Sequence, residues 1–194
     1  MHNDMPVTLK MGELMSGEAF FQFCQMNDTL EFERDSTGSI IVMSPTVSVT
    51  GNFNVKISVE LGIWNKETGL GEVFDSSTGF TLPNGAVRSP DVSWVKKEKW
   101  ALLSQADKEK FAPVCPDFVV EICSKSDDIR YLQDKMGEYI DNGTQLGWLI
   151  DHFDNKVYVY GSRKTMFVHD TLDLKLPGED VLPGFVLDLG NLIK

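Results

Sequence analysis

The run Phe118-Val119-Val120-Glu121-Ile122-Cys123 constrains this chain more than any other stretch. Its residues are almost all apolar, β-branched or aromatic. That predicts a strand buried on both faces in the middle of a sheet. Glu121 breaks the pattern. A carboxylate in such a place is costly unless it is paired, hydrogen-bonded or bound to a metal. Two readings follow: an ion pair with a buried Arg or Lys, or a metal role. A second strand-like run, Pro90-Asp91-Val92-Ser93-Trp94-Val95, carries another acid at its entry. Two carboxylates on adjacent strands can hold a hard divalent cation. A Pro-Asp pair before a strand is also ordinary turn chemistry.

The chain of 194 residues is ample for one domain with a real core. The expected organisation is a leader and short helix over residues 1–28 and a single globular domain over 29–194. A net charge of −11 argues against non-specific attraction to nucleic acid, although the local field decides that matter. Cys24, Cys115 and Cys123 are widely spaced and form no CxxC pair. They fit a reducing cytosol better than a disulfide framework or a zinc site. No apolar run is long enough to span a bilayer, and residues 1–10 lack an apolar signal core, so a cytoplasmic protein with no membrane partner is expected.

Residues 1–10 read as a loose leader, and 11–26, with Leu14, Phe20, Phe21 and Phe23, as a short helix beginning after Ser16 or Gly17. Thr29 to Arg34 alternates, Asp35-Ser36-Thr37-Gly38 is turn chemistry, and Ser39 to Met43 follows, which predicts a hairpin. Residues 47–65 carry two patterns. Phe53, Val55, Ile57, Val59, Leu61 and Ile63 alternate like a strand, whereas Phe53, Ile57, Leu61 and Trp64 form a helical stripe. The segment is too long for an ordinary strand, so the spacing predicts a helix. Strands are predicted at 72–74, 78–82 and after Asp91. Residues 96–111, with Lys96, Lys97, Lys99, Lys108, Lys110 and Trp100, read as a solvated excursion with one helical turn. A helix over 129–142 ends at Asn142-Gly143. Strands at 146–150 and 157–160 and a tail of short strands and turns complete the chain.

Lys135 sits on the inward stripe of the 129–142 helix, beside Leu132, Met136, Tyr139 and Ile140. Its stem can cover apolar surface while the ammonium reaches water. Alternatively, the ammonium is aimed at the end of the Glu121 strand, where this helix starts. Asp91, Glu121 and Lys135 together form a kit for metal-assisted phosphodiester hydrolysis. Cys123 has no histidine near it in sequence and reads as an inert core thiol. His152 and His169 are isolated. Trp94, Trp148, Tyr158 and Tyr160 lie in strand patterns and read as core before base-stacking platforms.

Pro90-Asp91-Val92, then Pro116-Asp117 through Glu121-Ile122-Cys123-Ser124, then Lys135 through Tyr139 and Gly143 to Trp148-Leu149-Ile150-Asp151, resemble the Uma-two family of restriction-endonuclease-like proteins, within the PD-(D/E)XK nuclease superfamily. The hairpin ending Met43-Ser44-Pro45 also fits, and the resemblance covers residues 29–160. It implies an α/β (α+β) fold: a restriction-endonuclease-like mixed β-sheet flanked by helices, with an N-terminal β-hairpin elaboration. The core order is helix, three strands, helix, strand. It also implies a magnesium- or manganese-dependent endonuclease acting on nucleic acid, DNA foremost, as a homodimer. The alternative is the same fold kept as a catalytically inactive binding or regulatory module. By the resemblance Asp91 and Glu121 are the two acids, with the Ile122 carbonyl as a further metal ligand. The strict superfamily lysine, two residues after the second acid, is Cys123 here. Lys135 matches the place from which the following helix supplies it, with Lys125 as rival. Glu33 is the expected early acid, with Glu60 as alternative. Relatives often carry a histidine near the start of the long helix, where this chain has none.

Overall fold

The computed structural model describes residues 7–10, 15–125, 127–162 and 164–192. Leu14, expected on the first helix, lies outside the described residues, as does most of the expected leader. The rest of that leader departs from expectation. Val7–Leu9 is a strand, β1, paired antiparallel with Ile40–Met43. The side chains of β1 are exposed, so it is held by backbone pairing along an otherwise free strand edge. The first helix, α1, runs Gly17–Met26, and the Ser16 side chain caps it by accepting from the Ala19 N–H. Phe20 is its one fully buried residue, packed with Phe32, Ile40 and Val87.

The predicted hairpin is present as Glu31–Arg34 (β2) and Ile40–Met43 (β3), with Phe32 opposite Val42 and Glu33 opposite Ile41. Asp35 shapes the turn, its Oδ1 accepting from the N–H groups of Thr37 and Ser39. The two-pattern segment is a helix, α2, spanning Ser48–Thr68. Thr50, Phe53, Ile57, Leu61 and Trp64 are its buried stripe, while Val55, Val59 and Ile63 of the competing alternation are exposed. Burying one 3.6-period face is what selects helix over strand here. Gly69 closes the helix in the left-handed region at φ 62°, its N–H bonded to the Asn65 carbonyl.

Then follow Gly71–Phe74 (β4), Phe80–Thr81 (β5), Val87–Arg88 (β6) and Val92–Lys96 (β7). The lysine-rich excursion holds two short helices rather than one turn, Lys97–Ala101 (α3) and Gln105–Lys108 (α4). A Ser104–Asp107 capping box starts the second, and Trp100 packs on Phe74 with ring centroids 4.9 Å apart. Phe118–Ile122 (β8) is buried throughout. Helix α5, Ile129–Asp141, follows from an Asp128 cap, and then come Leu146–Asp151 (β9), Lys156–Gly161 (β10) and Thr165–His169 (β11). Lys175–Pro177 (β12) and Val186–Asp188 (β13) pair with each other ahead of a last turn of helix, Leu189–Leu192 (α6).

The main sheet has six strands in the order β11-β10-β9-β8-β7-β4, parallel between β8 and β9 and antiparallel elsewhere. Its core of α2, β4, β7, β8, α5 and β9 has the expected order of helix, three strands, helix, strand. Strand alternation divides β8 between two layers. Phe118, Val120 and Ile122 pack with Phe53, Ile57 and Leu61 of α2. Val119 and Cys123 pack with Leu132, Met136 and Tyr139 of α5. Glu121 has the parity of the second set and meets α5. A second sheet, β1-β3-β2-β6-β5, carries the hairpin, and β6 joins it to the main body just before Asp91.

The stripe on α2 yields a test. Leu61→Ala is expected to lower unfolding free energy by about 2–5 kcal/mol, because Leu61 is wholly buried in the sheet-facing core. Val59→Ala, on the outer face, is expected to stay within about 0.5 kcal/mol of the parent. Urea denaturation of both variants measures the difference, and equal losses would contradict the packing described.

Candidate active site

Helix α5 turns its buried stripe toward β8, and Lys135 comes with it. The Lys135 ammonium is not snorkelled to water: the residue is 4% exposed. Nζ lies 2.8 Å from Glu33 Oε1 and 2.9 Å from Glu121 Oε1. Burial alone would lower the lysine pKa, but the two carboxylates more than offset it and the net shift is upward. The ammonium therefore stays charged between two acids.

The two acids differ in what else they receive. Glu33, on β2, is also bonded by Arg88 Nη1 at 3.0 Å and by the Ser89 N–H at 2.9 Å. Burial pushes its pKa up, yet Lys135, Arg88 and these donors outweigh it, so Glu33 is ionised. Among the described residues, Glu121 receives Lys135 and the Tyr139 hydroxyl, which donates at 3.1 Å. Burial dominates there, Asp91 and Glu33 add repulsion, and the Glu121 carboxyl is pushed up to about 8. The Arg88 and Ser89 donors at Glu33, absent at Glu121, thus separate in proton affinity two carboxyls that share one ammonium, a pattern common at reactive centres.

Asp91 stands at the entry of β7. Val92 pairs with Val120, and continuing that antiparallel register sets Asp91 opposite Glu121. Its Oδ2 accepts the Ile122 N–H at 2.7 Å, and its Oδ1 accepts from Asn54 Nδ2 of α2 at 3.3 Å. Burial raises its carboxyl to about 6 despite the Ile122 bond. Asp91 keeps partial solvent access, whereas Glu33 and Glu121 are buried.

The structure thus brings Glu33, Glu121 and Lys135 into direct contact, with Asp91 bonded to the backbone of Ile122 next to Glu121. Glu60 and Lys125, the alternatives raised by sequence, are exposed. Cys123 is buried, and burial, with Asp151, Asp127 and Asp154 nearby, pushes its thiol up to about 12, which suits a core residue and not a nucleophile. His152 stacks on Phe53 at 5.3 Å, and burial lowers its pKa. His169 is exposed, and His2 lies outside the described residues. Trp94, Trp148 and Tyr160 are core residues, as their strand patterns imply. The clustered lysines begin at Lys96, the last residue of β7, whereas Asp91 precedes the strand, so five residue steps along it separate Asp91 from the cluster, roughly 17 Å at about 3.3 Å per residue.

Sequence reasoning missed Arg88, Glu138 and Asn54, and saw Tyr139 only as apolar filling. Arg88 reaches Glu33 and, through Nε at 2.6 Å, Glu138. Its signal was proximity, an arginine three residues before Asp91 in Arg88-Ser89-Pro90-Asp91. Glu138 and Tyr139 follow Lys135 by three and four residues, the spacing that shares a helix face.

Among the described residues, no group of three or more His, Cys, Asp or Glu side chains is arranged to hold a metal. The donor set instead suits a hard ion that keeps several waters and takes one or two carboxylates. Its charge also fits. Four carboxylates (Glu33, Asp91, Glu121, Glu138) face two cations (Arg88, Lys135), so full ionisation leaves an excess of negative charge that a divalent cation would neutralise.

A family model described as "Uma2: Putative restriction endonuclease" matches residues 18–190. The chain belongs to the Uma2 family. Membership supports a nuclease-like function. The crystal structure of a "putative nuclease belonging to DUF820" from Anabaena variabilis superposes with a TM-score of 0.74 at 18% identity, covering 93% of this chain and 99% of that one. That likeness shows the fold. No curated protein matches the sequence. None of the described helices is long and apolar enough to cross a membrane.

The raised Glu121 carboxyl sets a pH dependence for this Uma2 protein. The folded state holds a proton there that the unfolded chain releases above roughly pH 4. The stability this group contributes is therefore full at low pH and lost as pH rises through about 8. Glu121→Gln removes the titration. Urea midpoints of the parent are expected to fall relative to the variant as pH rises across this window, and a constant difference would contradict the assignment.

Proposed function

We propose that this Uma2 protein is a magnesium- or manganese-dependent endonuclease that hydrolyses phosphodiester bonds in nucleic acid, with DNA as substrate. The observation that carries the reading is the meeting of Glu121 and Lys135 at 2.9 Å beside Asp91, which puts two acids and a cation together at one end of the central strand. Asp91, Glu121 and the Ile122 carbonyl would hold the ion. Bound there, the ion supplies Lewis acidity and lowers the pKa of its water. The Lys135 ammonium orients the attacking water or stabilises charge developing on the phosphoryl oxygens. Glu33 keeps that ammonium charged and in place, and the Tyr139 hydroxyl fixes the Glu121 carboxylate. Because Cys123 replaces the strand lysine of the strict superfamily pattern, the cation must come from α5, and Lys135 is positioned to serve.

The reading includes a homodimer in the reducing cytosol, in keeping with the free thiols of Cys24, Cys115 and Cys123. Sedimentation velocity tests the dimer. The competing reading, an inactive module of the same fold, draws on the same Cys123 substitution.

Cleavage of plasmid, linear duplex and RNA substrates in manganese separates the two. The parent is expected to cleave, Asp91→Ala to abolish metal-dependent cleavage, and Lys135→Met to reduce kcat by about 10²–10³-fold. Undiminished cleavage by Asp91→Ala would overturn the nuclease assignment. Absence of calorimetric manganese binding by the parent would favour the inactive module.

A further inference from the structure

Arg88 has no part in the chemistry described above, yet it is as buried as the residues that do, at 6% exposed. Its guanidinium makes two charged contacts with different nitrogens: Nη1 to Glu33 Oε2 at 3.0 Å and Nε to Glu138 Oε2 at 2.6 Å. Glu33 offers its other oxygen to Lys135, and Lys135 in turn touches Glu121. Glu138 is held from its far side by Asn84 Nδ2 at 2.9 Å. Acidic and basic side chains alternate along one chain: Glu138, Arg88, Glu33, Lys135, Glu121. Both ends of this chain draw on α5, since Glu138 lies one turn beyond Lys135 on the same helix.

We propose that Arg88 is a positioning residue for Lys135: by anchoring Glu33 on one side and α5 on the other, it fixes the ammonium against Glu121. The kinetic consequence rests on the nuclease reading. The geometric consequence does not. Without Arg88, the buried Glu33 carboxylate is left, among the described residues, with the Lys135 cation and competes with Glu121 for it. Glu33 either takes the ammonium wholly or becomes protonated and releases it, and in both cases the bridge between the two acids is lost. A lysine at position 88 cannot reproduce the fork. It presents one point charge where the guanidinium presents two separated N–H directions.

The test pairs a crystal structure with kinetics. In Arg88→Met, Lys135 Nζ is expected to leave hydrogen-bonding distance of Glu33 or of Glu121. With manganese, kcat is expected to fall about 10–100-fold, while KM for nucleic acid and the manganese Kd stay within about twofold. Arg88→Lys is expected to recover only part of kcat. A residue that served stability alone would lower Tm and leave the Lys135 bridge and kcat unchanged, and that result overturns the proposal. If the parent protein fails to cleave, the nuclease reading fails, and the position of Lys135 in Arg88→Met still decides this one. If Arg88→Met does not fold, Glu138→Gln at the solvent side of the chain takes its place. A smaller fall in kcat with unchanged manganese Kd supports the proposal, and unchanged kcat refutes it.

Discussion

A single buried ammonium holds this site together. Lys135 is buried, and it is stable there because Glu33 and Glu121 approach it from two sides. Neither acid would be tolerable alone at such depth. The three come from separate places in the chain: the N-terminal hairpin, the central strand and the helix after it. Removing one member of a buried ion set costs about 3–5 kcal/mol, because the others are left uncompensated. The ion set therefore also sets how the hairpin sheet, β8 and α5 fit together, with Arg88 extending the same logic to β6.

The backbone explains why the charges face one another. β8 is buried on both faces and divides its side chains between two layers, α2 on one side and α5 on the other. Glu121 falls on the α5 side by parity, and Lys135 falls on the inner stripe of α5 by helical period. Asp91 joins them because β7 runs antiparallel to β8 and begins where β8 ends. The result is an acid pair with an adjacent cation at one end of the sheet. The lysine-rich segment lies at the other end of β7, where Lys99 pairs with Asp117 and Lys110 with Glu18.

Much of this arrangement could be read from residues. The polar interruption at Glu121 and the charged member of an apolar stripe at Lys135 are anomalies of pattern, and anomalies of pattern survive in a sequence. The helix at 48–68 was decided by its length and by the stripe Phe53, Ile57, Leu61 and Trp64. Other features carried no such mark. Val7–Leu9 is exposed on both sides, so no burial pattern announced β1, and pairing with β3 creates it. Glu33 and Glu60 were equally acidic in sequence, and tertiary contact with Lys135 and Arg88 distinguishes them. Arg88, three residues before Asp91, fits no burial pattern in the sequence. Its burial follows from the pairing of β6 with β2, Val87 opposite Arg34, which sets Arg88 against Glu33, a long-range contact that no local spacing encodes. Tyr139 hid in the opposite way, as an aromatic whose ring is core and whose hydroxyl reaches Glu121.

The central claim is that the acid pair and the ammonium share one compartment built to take a divalent cation. Anomalous diffraction from crystals soaked in manganese tests it most directly. The account predicts one manganese peak in contact with carboxylate oxygens of both Asp91 and Glu121, with the Lys135 ammonium still bonded to Glu33. A peak elsewhere on the protein, or none between these two acids, would contradict it.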